Sequence, residues 1–138
     1  MKTTTLEKFK HYFFQIDFSN DSILNEIYSE DIVFKEPIQE IQGIENLKAY
    51  FNKLNDNLIE CSFLFTDESV VYNKAFLSWE MDLKLKRPKK NVKASGISVL
   101  INEDKIISQR DYFDAGELFY ENIPVLGGII RSIKKKLS

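Results

Sequence analysis

Asp111 is an acid placed among apolar and aromatic residues, in a stretch of sequence that could contribute to a catalytic or binding site. The stretch over residues 105–114 is rich in Ile, Tyr and Phe, which are typical of β-strands. Successive side chains of a strand point to opposite faces of a sheet. Asp111 should therefore share one face with Gln109 and Phe113, so a carboxylate is predicted on a partly apolar surface.

Two interpretations of Asp111 are open, because burying a charge is costly unless the charge is paired or used. Arg110 or backbone donors could hold the carboxylate as a structural anchor. Alternatively, Asp111 lines a pocket as a functional acid. In that case Arg110 should not reach it easily, because consecutive residues of a strand lie on opposite faces.

Glu36 and Tyr12 are two further residues that could take part in catalysis or ligand binding. Glu36 closes the predicted strand 32–36, which stops at Pro37 because proline cannot donate to a sheet ladder. Tyr12 borders the apolar stripe of a helix predicted over residues 4–16. Its hydroxyl could point into the protein, or it could stay hydrated at the edge of the core, as the polar ends of amphipathic rings often do.

The composition argues against several classes of site and partner. At 138 residues the chain fits one domain, and its net charge of −2 is too balanced to suggest a nucleic-acid binder. Cys61 and His11 are the only residues of their types, which argues against a disulfide, a multi-cysteine zinc site or a histidine-rich metal centre. We therefore expect no metal and no cofactor. Without a hydrophobic N-terminal signal core, a cytoplasmic location is the default expectation.

The rest of the sequence predicts the elements that must position these residues. The three predicted helices are 4–16, a short one capped by Asn20 or Asp21, and 44–54. The strands that follow them are predicted at 58–66, 75–85, 92–102 and 105–114. Helices followed by consecutive strands indicate an α+β domain with the helices on one face of a curved antiparallel sheet.

The strand predicted over 75–85 alternates cleanly between apolar and polar residues. Trp79 and Met81 belong to its apolar face, and Glu80 and Asp82 belong to the opposite face. In the next strand, Gly96 marks a bulge or a bend.

A helical tail is predicted over residues 121–138. Isoleucines at 129, 130 and 133 form an apolar side of this helix. Arg131 and the three consecutive lysines at 134–136 make the same segment basic. We expect this tail to pack against its own sheet or a partner subunit. Membrane contact by residues 129–138 is the disfavoured alternative, because so few basic residues would drive it.

The element order, the strand end Phe34-Lys-Glu-Pro37 and the motif Arg110-Asp-Tyr-Phe-Asp114 resemble the nuclear transport factor 2-like superfamily. The SnoaL-like and limonene-epoxide-hydrolase-like members look most similar, and the ketosteroid-isomerase-like members offer a further comparison. The shared element order spans residues 4–120. The resemblance implies a single SnoaL-like domain over 1–138. Its strongly bent antiparallel or mixed sheet would form a cone-shaped half-barrel around the helices. It also implies an apolar pocket and a homodimer.

The resemblance assigns candidate catalytic residues from two branches. In the epoxide hydrolases, the first acid of the motif matches Asp111 and a second pocket acid matches Asp82, although their bridging arginine falls on Glu80 here. In the ketosteroid isomerases, the general base directly before a proline matches Glu36, and the oxyanion-donating tyrosine matches Tyr12. The second donor of that branch, an acid, falls near residue 97 and is missing.

Three functions from different classes remain open, since this fold does not settle function. The favoured one is a pocket for an apolar small molecule with one polar group. The others are an isomerase- or hydrolase-like enzyme that uses Asp111 or Glu36 as general acid or base, and a dimeric interaction domain with a filled pocket. The dimer is expected to form through the outer face of the sheet, where Phe76 lies. The predicted ligand contacts are Phe34, Trp79, Met81, Gln109 and Phe113.

Overall fold

The computed structural model describes residues 3–87 and 89–113. The helices are α1 (Thr3–Phe14), α2 (Ser22–Ile27) and α3 (Ile44–Asn55). The strands are β1 (Tyr28–Lys35), β2 (Glu40–Gln42), β3 (Leu58–Val71), β4 (Lys74–Leu85), β5 (Lys90–Asn102) and β6 (Ile106–Phe113). The predicted helical tail lies outside the described residues.

The strands form one six-stranded sheet with the order β2-β1-β6-β5-β4-β3. Strands β3 to β6 pair antiparallel as a meander, and β1 joins the far side of that meander by pairing parallel to β6. The sheet is therefore mixed, and it stays unclosed and curled around the helices. The predicted α+β class, with N-terminal helices packed in a bent mixed sheet, is confirmed.

The parallel pairing of β1 and β6 is the contact that assembles the site. Its register joins Phe34 to Gln109 and Lys35 to Arg110. One residue beyond this pair on each of the two strands, the same register brings Glu36 opposite Asp111. Two carboxyl groups that are distant in sequence thus end up beside each other at one end of the sheet.

The apolar stripes of the helices form the core that holds this sheet in place. The largest buried cluster joins Phe9 and Phe13 of α1 to Leu47 and Phe51 of α3, and it includes Leu77 of β4. The rings of Phe13 and Phe51 meet edge to face, with centroids 6.1 Å apart. Since the helices cover one face of the sheet, the alternate side chains of each central strand are buried against them.

The alternation of β4 is as predicted. Trp79 and Met81 are buried, and Glu80 is exposed on the opposite face. Gly96 lies opposite Trp79 on β5. A Cβ atom at Gly96 would come within 2.5 Å of Cζ2 of the indole ring and 2.6 Å of the backbone oxygen of Tyr112. The absence of a side chain at Gly96 therefore makes room for the indole ring of Trp79.

Three parts of the sheet differ from the sequence prediction, one of them β3, which continues beyond Thr66 to Val71. Strand β1 begins at Tyr28 rather than at Ile32, and β2 was not predicted. The first half of β1 carries the polar residues 29–31, which hid the strand pattern. Strand β2 has three residues and pairs only with β1, so its sequence is too short to show a period.

Candidate functional site

A cavity of about 110 Å³ lies between the helices and the concave face of the sheet. Its wall is almost wholly hydrocarbon, and the few polar groups on it include Glu36, Tyr50, Gln109 and Asp111. All five predicted ligand contacts lie on this wall, namely Phe34, Trp79, Met81, Gln109 and Phe113. Such a wall, with few polar groups on an apolar surface, is typical of small-molecule sites.

Asp111 is held by side-chain donors from two strands. The Ser98 hydroxyl donates to its Oδ1 at 2.6 Å, and the Gln109 amide donates to Oδ1 and Oδ2 at 3.0 and 3.2 Å. Ser98 in turn accepts a hydrogen bond of 2.9 Å from Nε1 of Trp79. The carboxylate, the hydroxyl and the indole therefore form one connected chain on the cavity wall.

Tyr28, which is not among the residues that line the cavity, sets the orientation of the Gln109 side chain. The hydroxyl of Tyr28, a fully buried residue, donates to Oε1 of Gln109 at 2.5 Å. Because the oxygen of the amide is occupied in this way, its nitrogen faces Asp111. Tyr28 thus helps to present donors, rather than acceptors, to the carboxylate.

Arg110 does not hold Asp111. It lies on the exposed face of β6, where its guanidinium is 4.9 Å from the centre of the Tyr112 ring. The interpretation of Asp111 as an acid paired with Arg110 is therefore wrong. The physical reason is strand alternation, which sends the two neighbouring side chains to opposite faces.

Glu36 is buried, with 9% of its surface exposed, and it accepts a short hydrogen bond from the hydroxyl of Tyr50 on α3. Burial raises the pKa of the Glu36 carboxyl to about 7, and the nearby charge of Asp111 adds to this increase. The hydrogen bond from Tyr50 opposes the increase, because it stabilises the ionised form. Glu36 is thus poised to take up and release a proton near neutral pH.

Burial likewise raises the pKa of the Asp111 carboxyl to about 6, against the lowering effect of its bonds from Ser98 and Gln109. The two carboxyl groups also oppose each other's ionisation, so their protons leave in two coupled steps. When they ionise, the two groups place negative charge against a mostly apolar wall. This arrangement can exchange a proton with a ligand or pair with a ligand's charge.

Among the described residues that line the cavity, there is no Lys, Arg or His. The charge of the two acids is therefore not neutralised by a basic side chain of this wall. The described part of the chain also contains no group of three or more His, Cys, Asp or Glu side chains able to hold a metal ion. Within residues 3–87 and 89–113, no helix is long and apolar enough to cross a membrane.

Two candidates from the sequence are not brought to the cavity. Tyr12 is buried on α1, but it lines a separate surface depression beside His11 and Asp17. Asp82 lies on the opposite face of β4 from Trp79 and Met81, because an even-numbered position of this strand points away from the helices. The assignments of Tyr12 and Asp82 to the pocket wall are therefore corrected.

Sequence reasoning missed the residues that position the acids. Tyr50 is three residues after Leu47 on α3, so the helical period already placed it next to the apolar stripe. Ser98 pairs with Asp111 in the β5–β6 register, but a serine in a strand carries no signal of its own. The burial of Tyr28 could not be predicted, because the three residues that follow it, 29–31, are polar.

The comparisons with known proteins agree with the fold. A family model described as the SnoaL-like domain matches residues 17–109, which is more than half of the chain. The match ends two residues before Asp111 and includes Glu36, Tyr50 and Ser98. No curated protein sequence matches the chain.

Solved structures with a similar fold have low sequence identity. An NTF2-like protein of unknown function from Burkholderia pseudomallei is 10% identical, with a TM-score of 0.75 over 86% of this chain and 94% of that chain. A protein from Jannaschia, provisionally described as a SnoaL-like polyketide cyclase, has 13% identity and a TM-score of 0.69 over 84% and 92%. An LEH-like epoxide hydrolase from M. tuberculosis has 14% identity and a TM-score of 0.67, over 94% of both chains. At these identities the likeness shows a shared fold.

Proposed function

The chain belongs to the SnoaL-like domain family, and from this premise we propose that it binds a small, mainly apolar molecule carrying one polar group in the cavity between its helices and its sheet. The observation that carries the proposal is the pair of acids, buried Glu36 and partly buried Asp111, on a wall that is mostly hydrocarbon. Placing two acids together away from water destabilises the folded protein. A cost of this kind is typical of functional sites, where residues are retained for their chemistry.

The wall divides into a part that excludes water and a part that orients the ligand. Phe63, Trp79 and Phe113 supply flat apolar surface, and Trp79 meets Phe63 edge to face with centroids 4.9 Å apart. The apolar portion of a ligand would gain about 25 cal/mol for each Å² that it removes from water. Its polar group would be directed to Glu36 and Asp111, because the cavity offers few other polar partners.

A second candidate function is proton transfer to or from a bound substrate. It is favoured by the pKa of Glu36, which burial raises to about 7, since a general acid or base works best when its pKa is near the working pH. In this case Glu36 would exchange the proton, and Tyr50 would stabilise its ionised form through the hydrogen bond. Asp111, with its three donor contacts, would stay ionised and orient the substrate. The reaction would be of the isomerase or hydrolase class, as the superfamily resemblance implies.

We expect Asp111→Asn to lose ligand binding, or turnover if the protein is an enzyme, by about tenfold or more, while the fold is retained. Asparagine keeps the volume of the side chain and can still accept hydrogen bonds from Ser98 and Gln109 through its oxygen. It removes the charge that a polar ligand group would meet. Trp79 is the only tryptophan and lies on the cavity wall, so its fluorescence reports binding directly.

Asp82→Asn is the matched control, because it removes an acid from a nearby strand but from the opposite face of the sheet. It should leave binding as in the parent protein. Equal binding by the Asp111→Asn and parent proteins, with both folded, would contradict a functional role for Asp111.

We also propose that the protein forms a homodimer through the outer face of the sheet. Three large apolar side chains are exposed there on consecutive strands: Phe76 on β4, Ile97 on β5 and Tyr112 on β6. Ile97 and Tyr112 are direct partners in the β5–β6 register, so this surface is continuous. A two-fold interface is self-complementary, and the centre of such a patch would meet its own copy.

Ile97→Asp should weaken the dimer by about tenfold or more, because it places an unpaired charge at the centre of the patch. Sedimentation velocity over a range of micromolar concentrations would measure the change. Tyr72→Asp is the control, since Tyr72 is exposed on the β3–β4 hairpin and away from the patch. A parent protein that sediments only as a monomer would remove the proposal.

A further inference from the structure

The acid pair of the cavity lacks a counter-ion in the part of the chain that the structure describes. In the described part of the chain, the side chains that donate hydrogen bonds to Glu36 and Asp111 are neutral and include Tyr50, Ser98 and Gln109. Gln39, also neutral, further stabilises the ionised form of Glu36. Among residues 3–87 and 89–113, each charge is therefore solvated by dipoles and has no basic side chain against it. Isolated charges in apolar surroundings are costly, and a ligand of opposite charge removes that cost when it binds.

The nearest basic residues along these strands do not fill this role. Lys35 and Arg110 directly precede the two acids and pair with each other in the β1–β6 register, on the opposite face of the sheet. Arg110 is also stacked on Tyr112. The two positive charges of these strands thus lie outside the cavity and the two negative charges inside it.

Resting on the proposed small-molecule function, we infer that the ligand is an organic monocation, namely an apolar amine whose ammonium group lies between Glu36 and Asp111. An ammonium group carries only donors, and both acids have oxygen lone pairs left to accept them. The donors already present use only part of the acceptor capacity of the two carboxylates, which therefore have lone pairs free for an ammonium group. Charge-assisted hydrogen bonds to two acids would be the strongest polar contacts that the site can form.

The aromatic wall fits the same ligand class. Phe34 and Tyr50 lie next to each other, with ring centroids 6.1 Å apart, and both line the cavity near Glu36. Trp79 and Phe113 line it near Asp111, with centroids 6.4 Å apart. Faces of aromatic rings attract cations, most strongly where water is excluded.

Binding of an amine should depend on pH through the acids of the cavity. The titratable groups that face the site are Glu36, Asp111, Tyr50 of α3 and Cys61 of β3, with Tyr28 behind Gln109. Burial raises the pKa of the Cys61 thiol to about 12 and the pKa values of both tyrosines above their usual range. These three groups stay neutral between pH 5 and 8, so among the described groups that face the site only the two carboxyl groups change charge in that interval.

The test compares 2-phenylethylamine with 2-phenylethanol, which share the ring and the spacer and differ in charge. At pH 8 the amine keeps its proton, because the pKa of an alkylamine is about 10. Isothermal titration calorimetry on the full-length protein should show the amine binding about tenfold to a hundredfold more tightly than the alcohol. The preference should shrink at pH 5, where both acids are largely protonated, and it should vanish in the Glu36→Gln/Asp111→Asn double variant.

Glu80→Gln is the control variant, because it removes an exposed acid from the outer face and should keep the preference for the amine. An alcohol that binds at least as tightly as the amine at pH 8 would overturn the inference and leave the proposed small-molecule function standing. If neither compound binds, both the inference and the proposed function are overturned. A preference that persists in the double variant would also overturn the inference, since the charge would then be recognised elsewhere.

Discussion

Gly96→Ala should destabilise the protein by about 3 kcal/mol, which corresponds to a fall in Tm of about 10 °C. A Cβ atom at this position would lie 2.5 Å from Cζ2 of the Trp79 indole and 2.6 Å from the backbone oxygen of Tyr112. Neither neighbour can give way easily. The indole is buried and hydrogen-bonded to Ser98, and the oxygen belongs to the adjacent strand β6.

The same substitution should disturb the site as well as the fold. If the indole tilts away from the added methyl group, its hydrogen bond to Ser98 is broken, and Ser98 is a donor to Asp111. We therefore expect the tryptophan fluorescence of the folded variant to change. Thermal and urea denaturation would measure stability, with Ser95→Ala as the control because Ser95 is an exposed neighbour on the same strand.

A double-mutant cycle identifies the clash as the cause. Trp79→Phe removes the ring atoms closest to the new methyl group, so it should cost less stability in the Gly96→Ala background than in the parent. Independent, additive costs would show that the indole is not what excludes a side chain at position 96. An unchanged melting temperature for Gly96→Ala would contradict the packing described here.

Glu36→Gln should become more stable than the parent protein as the pH rises, by up to about 3 kcal/mol at pH 8. The expected gain follows from the pKa of the Glu36 carboxyl, which burial raises from 4.5 to about 7 in the folded protein. Glutamine can still accept the hydrogen bond from Tyr50 through its side-chain oxygen. The substitution thus removes a charge and keeps the shape of the side chain.

The sign of this effect depends on which state releases the proton first. Below about pH 4.5 Glu36 is protonated in both the folded and the unfolded chain, so it adds no pH dependence. Between pH 4.5 and 7 the unfolded chain ionises and the folded protein does not, which destabilises the parent progressively. Above pH 7 the destabilisation is constant. Asp111 adds a second component of the same sign between its usual pKa and about 6.

Urea denaturation of the parent and Glu36→Gln at pH 5 and pH 8 would measure this difference. The gain from the substitution should be small at pH 5 and large at pH 8. Glu80→Gln provides the control, since Glu80 is exposed and its removal should have an effect that is the same at both pH values. A variant that instead loses stability at pH 8 would show that Glu36 is an anchor whose partners need its negative charge.

The two acids thus have opposite consequences for folding and for binding. Their ionised forms destabilise the free protein, and a cationic ligand would reverse that effect. Ligand binding should accordingly raise the melting temperature more at pH 8 than at pH 5.

Local periodicity was enough to predict the α+β class and the face on which several residues of the cavity wall lie. The strict alternation of β4 placed Trp79 and Met81 towards the helices, because the side-chain period of a strand is two and only one face is apolar. The same rule placed Gln109, Asp111 and Phe113 on one face of β6, and all three line the cavity. The 3.6-residue period of α1 and α3 likewise predicted the core stripes. These are properties of single elements, and each is visible within a short window of sequence.

Which polar groups meet depends on contacts between segments that are distant in the sequence. Glu36 lies beside Asp111 because β1 pairs parallel to β6, and a contact between such distant segments leaves no trace in local periodicity. For the same reason Tyr50 contacts Glu36 and Tyr12 does not, although both tyrosines border apolar helical stripes. Ser98 became the partner of Asp111 through the β5–β6 register alone. Short-range sequence patterns determine which face a side chain takes, whereas the pairing of strands and the packing of helices determine its neighbours.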